Sequence, residues 1–420
     1  MKTPRGMKCN GLHAVDISDT GLAVLLGILA AFAPFSIDMY LAAFPAMAED
    51  FGTDTGGIQF TLSFFFLGMG LGQIFYGPLI DRLGRRRPLL YGLVLFTATS
   101  CLMVFVQNFP FFVILRFLQA VGGCAGMVIG RAVIQDLYAL QDAARMLSLL
   151  MMVQSVGPVA APVIGGYLLG IAGWRMIFAV LCGLGLTCFL VVFFRLPETL
   201  APETPSAAQG VPHMRRQILG IFLSICRNRQ FLAPALTGGL GGATTFAFIS
   251  GSPFVLMSLY GLNGVQYSWV FALCALGMVG AGRLNQVMLG RFQPGSLLCA
   301  ALAGSLLCGL GLFLSLLMAD GLPPLPLLLL PLFFILAAGP ILFANSTALA
   351  MAASGQHAGS ASALLGALQF GCAGAVSAGT SLLHNGTAYP LGGMLLACCI
   401  AASAIFFLAR HTDAGGLKKI

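Results

Sequence analysis

Charged side chains are scarce in this sequence, and their scarcity excludes an ordinary soluble protein. Asp, Glu, Lys and Arg make up 8% of the 420 residues, whereas 58% are hydrophobic. Soluble domains carry about a quarter charged residues, so this chain could not cover its surface with polar groups. The mean hydropathy of +0.94 places that surface against lipid. The net charge of +8 lies in short clusters between apolar segments, a pattern typical of membrane topology rather than of nucleic-acid binding.

The residues that build metal, redox and nucleotide sites are missing or badly placed. The twelve cysteines contain no Cys-x-x-Cys pair, and the five histidines lie near or outside the ends of apolar segments. No metal or redox centre is therefore expected. Among the four lysines only Lys2 precedes a Ser or Thr, and no phosphate-binding loop precedes it. We expect neither an enzyme nor a cofactor, which leaves an ion gradient as the energy source.

Twelve apolar segments are long enough to cross a bilayer, since a membrane helix needs about 20 mostly apolar residues. They are 22–45, 58–80, 88–106, 109–135, 147–171, 174–194, 230–258, 266–290, 296–318, 325–350, 358–383 and 388–410. The one long connection, 195–229, is rich in proline and charge. We predict an all-α polytopic membrane protein with two pseudo-symmetric six-helix bundles, 1–194 and 230–420, joined by this cytoplasmic linker.

Lysine and arginine are distributed very unevenly between the two sides of the predicted membrane. Seventeen lie in loops and tails on the side of the N-terminus, whereas the opposite loops carry only Arg175. Basic loops remain in the cytoplasm, so both termini are expected there. A cleaved signal ending at Ala48 is the alternative, but it would be longer than the usual 15–30 residues.

Glycines recur at a spacing of four in two predicted spans. They are Gly68 and Gly72 in the second span, and Gly122, Gly126 and Gly130 in the fourth. Small residues at this spacing allow membrane helices to pack closely. We interpret them as packing positions rather than as a ligand site.

Two ionisable residues lie well inside predicted spans. Asp38 is the only acid at such depth, and Arg116 is its clearest basic counterpart. Ionisable groups there cost about 2.5–3.5 kcal/mol on insertion scales and are functional by default. Both lie about seven residues from the outer surface, or roughly 10 Å at 1.5 Å per residue. The two charges can therefore meet across a helix interface or in a shared cavity.

Burial disfavours an ionised carboxyl, whereas a neighbouring guanidinium favours it. A change in hydration or in the distance to Arg116 could therefore switch the charge of Asp38, as proton coupling requires. The alternative is a structural ion pair that fixes helix register.

Four segments carry recognisable motifs. They are SIDMYLAAFP from Ser36 to Pro45, GPLIDRLGRRRP from Gly77 to Pro88, LRFLQAVGGCAGMVIGRAVIQD from Leu115 to Asp136 and QSVGPVAAPVIGGYL from Gln154 to Leu168. With these motifs the chain resembles the major facilitator superfamily and, within it, the bicyclomycin/chloramphenicol-resistance (Bcr/CflA-type) drug:proton antiporters. The resemblance implies a multi-pass protein of the bacterial cytoplasmic membrane that works by alternating access.

The resemblance also assigns roles to residues. A gating loop that latches the two halves is implied at Gly77, Asp81, Arg82, Gly84, Arg85 and Arg86, with Arg131 and Asp136 available to join it. Proton coupling is implied at Arg116 together with Asp38. An antiporter motif typical of exporters is implied at Gly157, Pro158, Pro162, Gly165 and Gly166. In this motif proline should kink the helix, and glycine should allow contact with the opposite half.

The expected substrate is a drug or small amphiphile, exported in exchange for protons by a monomer. Tyr40, Phe44 and Gln119 are the candidate cavity residues. A proton-coupled permease or exporter of a nucleoside or small peptide is the nearest alternative. A channel or receptor without coupled transport and a membrane-embedded enzyme are more distant ones.

Overall fold

The computed structural model describes residues 19–138, 140–199, 224–353 and 358–412. Within these ranges the chain is almost entirely helical. It divides into two compact units. One comprises Met1–Met47 and Phe64–Ala208, and the other comprises Ala48–Ser63 and Gln209–Ile420.

The helices before the linker begin and end close to the predicted span limits. They are α1 (Asp19–Ala30), α2 (Phe32–Asp38), α3 (Phe44–Phe51), α4 (Thr55–Leu83), α5 (Arg86–Phe105), α6 (Phe109–Leu137), α7 (Leu140–Ala172) and α8 (Trp174–Arg195). In the first unit α5 packs against α6 and α8, while α1 and α2 pack against α6 and α7.

The helices after the linker follow the same pattern. They are α9 (Arg229–Pro253), which continues as a π-helical turn (Phe254–Leu259), α10 (Gly264–Met288), α11 (Pro294–Met318), α12 (Leu325–Ala352), α13 (Ala358–Leu382) and α14 (Tyr389–Thr412). Helix α12 packs against α9, α10 and α11, and α9 also packs against α13 and α14.

Ten of these helices are long and apolar enough to cross a membrane, and the bent segment from Gly21 to Phe51 makes an eleventh. Helix α13, with 25 residues, occupies the position of the remaining predicted span. Large apolar side chains are exposed along the helices of both units, among them Phe75, Phe105, Ile171, Phe194, Val287, Leu307 and Met318. Surface of this kind suits lipid, and the predicted all-α polytopic membrane fold is confirmed.

The first predicted span is not the continuous helix that we expected. The chain turns by 42° after Ala30, and a 3₁₀ turn (Leu41–Ala43) separates α2 from α3. Pro34 explains the first break, because proline has no N–H to donate to the carbonyl of Ala30 and its ring clashes there. Pro45 in the same way offers no N–H to the carbonyl of Leu41. Asp38 is consequently the last residue of a short helix rather than the middle of a long one.

The glycines at a spacing of four lie where helices approach each other closely. A Cβ on Gly122 would lie 2.6 Å from the amide nitrogen of Phe96 on α5. One on Gly126 would lie 2.5 Å from the carbonyl oxygen of Leu29 on α1, and one on Gly68 equally close to that of Phe117. The predicted packing role is confirmed for these three glycines, whereas a Cβ on Gly130 would make only ordinary contacts, the nearest at 3.6 Å.

Within the second unit, the start of α4 is joined to the later helices by hydroxyl groups. Ser63 Oγ donates to Ser377 Oγ at 3.1 Å, and Ser377 Oγ donates to Ser250 Oγ at 3.3 Å. Buried amides connect other helices of this unit, where Asn345 donates to Asn285 at 2.8 Å.

We expect Gly122→Ala to lower the free energy of unfolding by about 1–3 kcal/mol, because the added methyl group meets backbone atoms that cannot rotate away. Unfolding in mixed micelles, followed by tryptophan fluorescence, measures this loss. Gly183→Ala on α8 is the matched control, since a Cβ there meets no described atom within 4 Å. Equal stabilities of the two variants would contradict the packing role.

Candidate functional site

Arg116 is the largest side chain of the first unit that is completely enclosed. It lies on α6 with 0% exposure, and three aromatic rings surround its guanidinium. The guanidinium carbon lies 4.2 Å from the ring centroid of Tyr40, 4.4 Å from that of Phe65 and 5.8 Å from that of Phe178. These three rings, from the turn after α2, from α4 and from α8, are called the aromatic cage below. Their π faces attract a cation.

Neutral acceptors complete the surroundings of this guanidinium. Nη1 donates to Gln119 Oε1 at 2.5 Å, and Nη2 donates to the backbone carbonyl of Ser36 at 3.0 Å. Gln119 Nε2 in turn donates to Ser100 Oγ at 2.8 Å, and that hydroxyl donates to the Phe96 carbonyl at 2.7 Å. A buried chain of hydrogen bonds therefore links α2, α6 and α5 through Arg116.

Asp38 lies two residues beyond Ser36 and is only 3% exposed. Its Oδ1 is fully enclosed, and no donor among the described residues reaches it. An ionised carboxylate in such surroundings is costly, because nothing replaces the water it has lost.

Asp38 and Arg116 share one unit and one neighbourhood, but they do not pair in this structure. No hydrogen bond or ion pair joins them among the described residues, where Arg116 bonds to the carbonyl of Ser36 and to Gln119 instead. The contact that their matching depths made possible is therefore absent in this conformation. Both side chains are buried within the protein and neither faces lipid.

The other candidate cavity residues are also buried beside the guanidinium. Tyr40 and Phe44 have 0% exposure, and their ring centroids lie 5.1 Å apart. Gln119 is a direct partner of Arg116. The structure thus places Tyr40 and Gln119 against the guanidinium, with Phe44 packed on the ring of Tyr40.

The glycines of the motif on α7 pack against the broken first span. A Cβ on Gly165 would collide with the carbonyl of Met39, and one on Gly157 would lie 3.1 Å from Pro34 Cγ. We expected these glycines to contact the opposite half, but the described contacts lie within the first unit. Gly166 is buried on the same helix.

Helix α7 also continues without a break through the two prolines of this motif. The two prolines leave the helix uninterrupted, and the kink expected at Pro158 and Pro162 stays a prediction. The motif therefore supplies a close-fitting surface for the segment that carries Asp38.

The loop between α4 and α5 is held by an acid that the motif does not contain. Gly84 has a φ of +81°, a conformation that glycine adopts readily, and so permits a tight turn between the two helices. The Glu198 carboxylate accepts hydrogen bonds from the backbone N–H groups of Arg85 at 2.7 Å and Arg86 at 3.2 Å. These amides open α5, so a negative charge is favoured at this position.

Arg85 ties the same loop to the end of α6. Its Nε lies 2.8 Å from Asp136 Oδ2 in an ion pair, and its Nη1 donates to the Ile80 carbonyl at 2.7 Å. Thr199 Oγ1 donates to Asp136 Oδ2 at 3.5 Å. Arg86 Nη2 donates to the Phe193 carbonyl on α8 at 2.5 Å. The loop, α6 and the segment after α8 are thus fastened together.

Some predicted loop residues have a different or undescribed setting. A Cβ on Gly77 would meet no described atom within 4 Å, so Gly77 does not mark a close helix contact among the described residues. Asp81 and Arg82 lie on the last turn of α4, but their side chains are outside the described part. Arg131 is exposed.

Four residues of these networks were not singled out by the sequence. Phe65 and Phe178 are apolar residues in apolar spans, and Ser100 is one hydroxyl among many, so nothing in the sequence distinguishes them. Glu198 could have been identified from the sequence, because it is an acid directly after a membrane helix at the start of the linker. Within the described ranges, no three His, Cys, Asp or Glu side chains form a group that could hold a metal ion.

We expect Glu198→Ala to lower the free energy of unfolding by about 1–3 kcal/mol, because it leaves buried amides at the start of α5 without an acceptor. Glu198→Gln keeps one acceptor oxygen and should lose less. Glu49→Ala is the control, since Glu49 is an exposed acid of the same type. Unfolding in mixed micelles compares the three variants. If Glu198→Ala lowers the free energy of unfolding no more than the control does, Glu198 does not hold the loop between α4 and α5.

Sequence and structure comparisons agree with this architecture. The profile of the Major Facilitator Superfamily matches residues 26–379. The uncharacterized MFS-type transporter YdgK of Bacillus subtilis is 32% identical over 388 residues, which cover 92% of this chain and 94% of that protein. The bicyclomycin resistance protein homolog of Haemophilus influenzae is 29% identical over 387 residues, which cover 92% and 95% respectively.

The fold has solved counterparts as well. The chain resembles the crystal structure of a bacterial homolog of the human lysosomal transporter Spinster, in its inward-facing and occupied conformation. The TM-score is 0.70 at 16% identity, and the match covers 93% of this chain and 97% of the other. These findings confirm both the predicted fold class and the resemblance drawn from the motifs. The chain belongs to the Major Facilitator Superfamily.

Proposed function

We propose that this transporter exports drugs or small amphiphilic molecules across the bacterial cytoplasmic membrane in exchange for protons. The bundles 1–194 and 230–420, joined by the linker 195–229, would alternate between two access states with both termini in the cytoplasm. The name of one relative, the bicyclomycin resistance protein homolog of Haemophilus influenzae, supports a drug as cargo.

The observation that carries the proposal is the buried carboxyl of Asp38, whose Oδ1 meets no donor among the described residues. A carboxyl without a donor at this depth has a low free-energy cost when it is protonated and a high one when it is ionised. Losing the proton therefore requires a new partner, either water, a polar cargo or the guanidinium of Arg116. Proton loss and a rearrangement of the site would accompany each other.

Arg116 supplies the nearby cation for that rearrangement. It bonds to the Ser36 carbonyl on the helix that ends with Asp38, so a change of side-chain conformation could exchange a neutral acceptor for a charged one. A charge-assisted hydrogen bond to a carboxylate is roughly twice as strong as one between neutral groups. The ionised state of Asp38 would be held in this way until a proton returns from outside.

Export rather than import is supported by the surface that α7 presents to the first span. Gly157 and Gly165 pack against the segment on each side of Asp38, and these residues belong to the motif that resembles those of exporters. We propose that protonation of Asp38 changes this packing and thereby couples the carboxyl to the movement of the helices.

We expect Asp38→Asn to abolish uphill transport, because asparagine cannot exchange a proton. In proteoliposomes with an imposed pH gradient, the rate with chloramphenicol as the probe should fall at least tenfold, while exchange without a gradient persists. Asp320→Asn is the control, since Asp320 lies in an exposed loop with a φ of +47°, which asparagine tolerates. Full gradient-driven transport by Asp38→Asn would refute the proposal.

The nearest competing function is a proton-coupled permease or exporter of a metabolite such as a nucleoside. We expect cells that produce this protein to accumulate less chloramphenicol than cells that produce Asp38→Asn, with the difference removed by a protonophore. A protonophore-sensitive increase in accumulation would instead identify an importer. Substrate-dependent proton movement in everted vesicles separates either carrier from a channel or receptor.

A further inference from the structure

We propose that the aromatic cage of Tyr40, Phe65 and Phe178 is a positioning device that keeps Arg116 away from Asp38 until the carboxyl loses its proton. This inference rests on the proposed proton coupling and assigns a role in it to residues that carry no charge. None of the three rings needs to contact the transported molecule for this role.

The cage satisfies a guanidinium without an anion. Two rings lie within 4.4 Å of the guanidinium carbon, and the third lies at 5.8 Å. Nη1 and Nη2 are bonded to neutral oxygens, whereas Nε has no hydrogen-bond partner in the part of the chain that the structure describes. The positive charge of Arg116 is thus stabilised by π faces and dipoles, in surroundings from which water is excluded.

The aromatic cage competes with the Asp38 carboxyl for the guanidinium of Arg116. Without the π faces, the ionised carboxyl of Asp38 would be the strongest partner within its neighbourhood. With them, the guanidinium has a competing position that does not require a negative charge. When Asp38 takes up a proton and the ion pair breaks, the guanidinium can then return to this position.

The rings are themselves held in place by neighbouring aromatic residues. The centroid of Phe178 lies 6.1 Å from that of Tyr40 and 5.6 Å from that of Phe112, and Trp174 packs on its edge at 5.9 Å. The cage therefore combines residues of three separate segments into one rigid wall. A movement of α4 or α8 relative to α6 would change its geometry.

Other titratable groups are poorly placed to replace Arg116 beside Asp38. Helix α2 packs against α1, α6 and α7. The far ends of these helices carry Asp19, Arg131, Asp136, Asp142 and Arg145. Three titratable residues lie closer to the level of Asp38. They are Tyr40 in the cage, Cys124 on α6 two turns after Arg116, and the exposed Tyr167 on α7. Arg116 is the cation whose position can decide the charge of Asp38.

The test is the protonation of Asp38 in purified protein, reconstituted in lipid nanodiscs. The infrared band of a protonated carboxyl is recorded as a function of pH, and the spectrum of Asp38→Asn is subtracted. In Phe65→Leu a leucine replaces the π face with apolar bulk, so the guanidinium should pair with Asp38. The midpoint of protonation should fall by about one pH unit, a tenfold loss of proton affinity.

Three further variants separate the cage from general damage to the fold. Phe65→Tyr keeps a π face and should keep the midpoint of the unmodified protein. Phe178→Leu removes the more distant ring and should lower the midpoint by a smaller amount. Phe66→Leu is the matched control, because Phe66 is equally buried on the same helix but does not belong to the cage.

A fall in midpoint in both leucine variants of the cage, with Phe65→Tyr and Phe66→Leu unchanged, supports the inference. If Phe65→Leu does not fold, the midpoint of Phe178→Leu decides. Unchanged midpoints in the cage variants overturn the inference, as does a fall of equal size in Phe66→Leu.

The outcome is distinguishable from a failure of the proposed function. If Asp38→Asn still transports uphill, proton coupling at Asp38 is wrong whatever the cage does. If Asp38→Asn is inactive but the cage variants keep their midpoints, coupling stands and the positioning role of the rings is wrong.

Discussion

The rest of the site depends on one constraint, the buried positive charge of Arg116, which has no negative partner among the described residues. Arg116 has 0% exposure, and its guanidinium is satisfied by the rings of the aromatic cage and by neutral oxygens. A buried charge left without compensation would cost several kcal/mol, so every element that supplies a ring or an acceptor must keep its place. Helices α2, α4, α5, α6 and α8 all contribute, directly or through Gln119 and Ser100.

The broken first span is the second requirement of this arrangement. Pro34 and Pro45 interrupt the helix on each side of Asp38, and the carbonyl of Ser36 becomes a partner for Arg116. A regular helix would direct that carbonyl to an amide of its own ladder. The close approach of Gly165 to Met39 leaves no room for a side chain, so α7 holds the irregular segment in position.

Much of this architecture could be predicted from the sequence, because membrane helices are dictated by length and hydropathy. The span limits agree with the helix ends to within a few residues at most ends, and most of the glycines at a spacing of four lie at close contacts. Asp38 and Arg116 were recognisable because charge is rare in apolar spans. Their partners were not, since Phe65 and Phe178 are distant in sequence and resemble dozens of lipid-facing or packing residues.

The two breaks in the first span show a different limit. Proline predicts a local loss of hydrogen bonding, but the residue alone does not predict whether the helix is interrupted there. Helix α7 contains Pro158 and Pro162 and runs on unbroken, whereas the segment with Pro34 turns by 42°. The role of Glu198 also depends on three-dimensional proximity, because it meets Arg85 across more than a hundred residues of chain.

The permanent charge of the Arg116 guanidinium has a consequence for the electrical behaviour of the proposed exchange. Arginine remains charged at every physiological pH, so in the proposed exchange Asp38, and not Arg116, would change its charge during a cycle. One proton entering against a neutral cargo would move one positive charge inward, and the membrane voltage would then drive export together with the proton concentration difference, at about 2.3 kcal/mol per 100 mV. A singly cationic cargo would cancel that charge and leave the voltage without effect. The charge of the cargo would thus decide whether the voltage helps to expel it or acidity alone does.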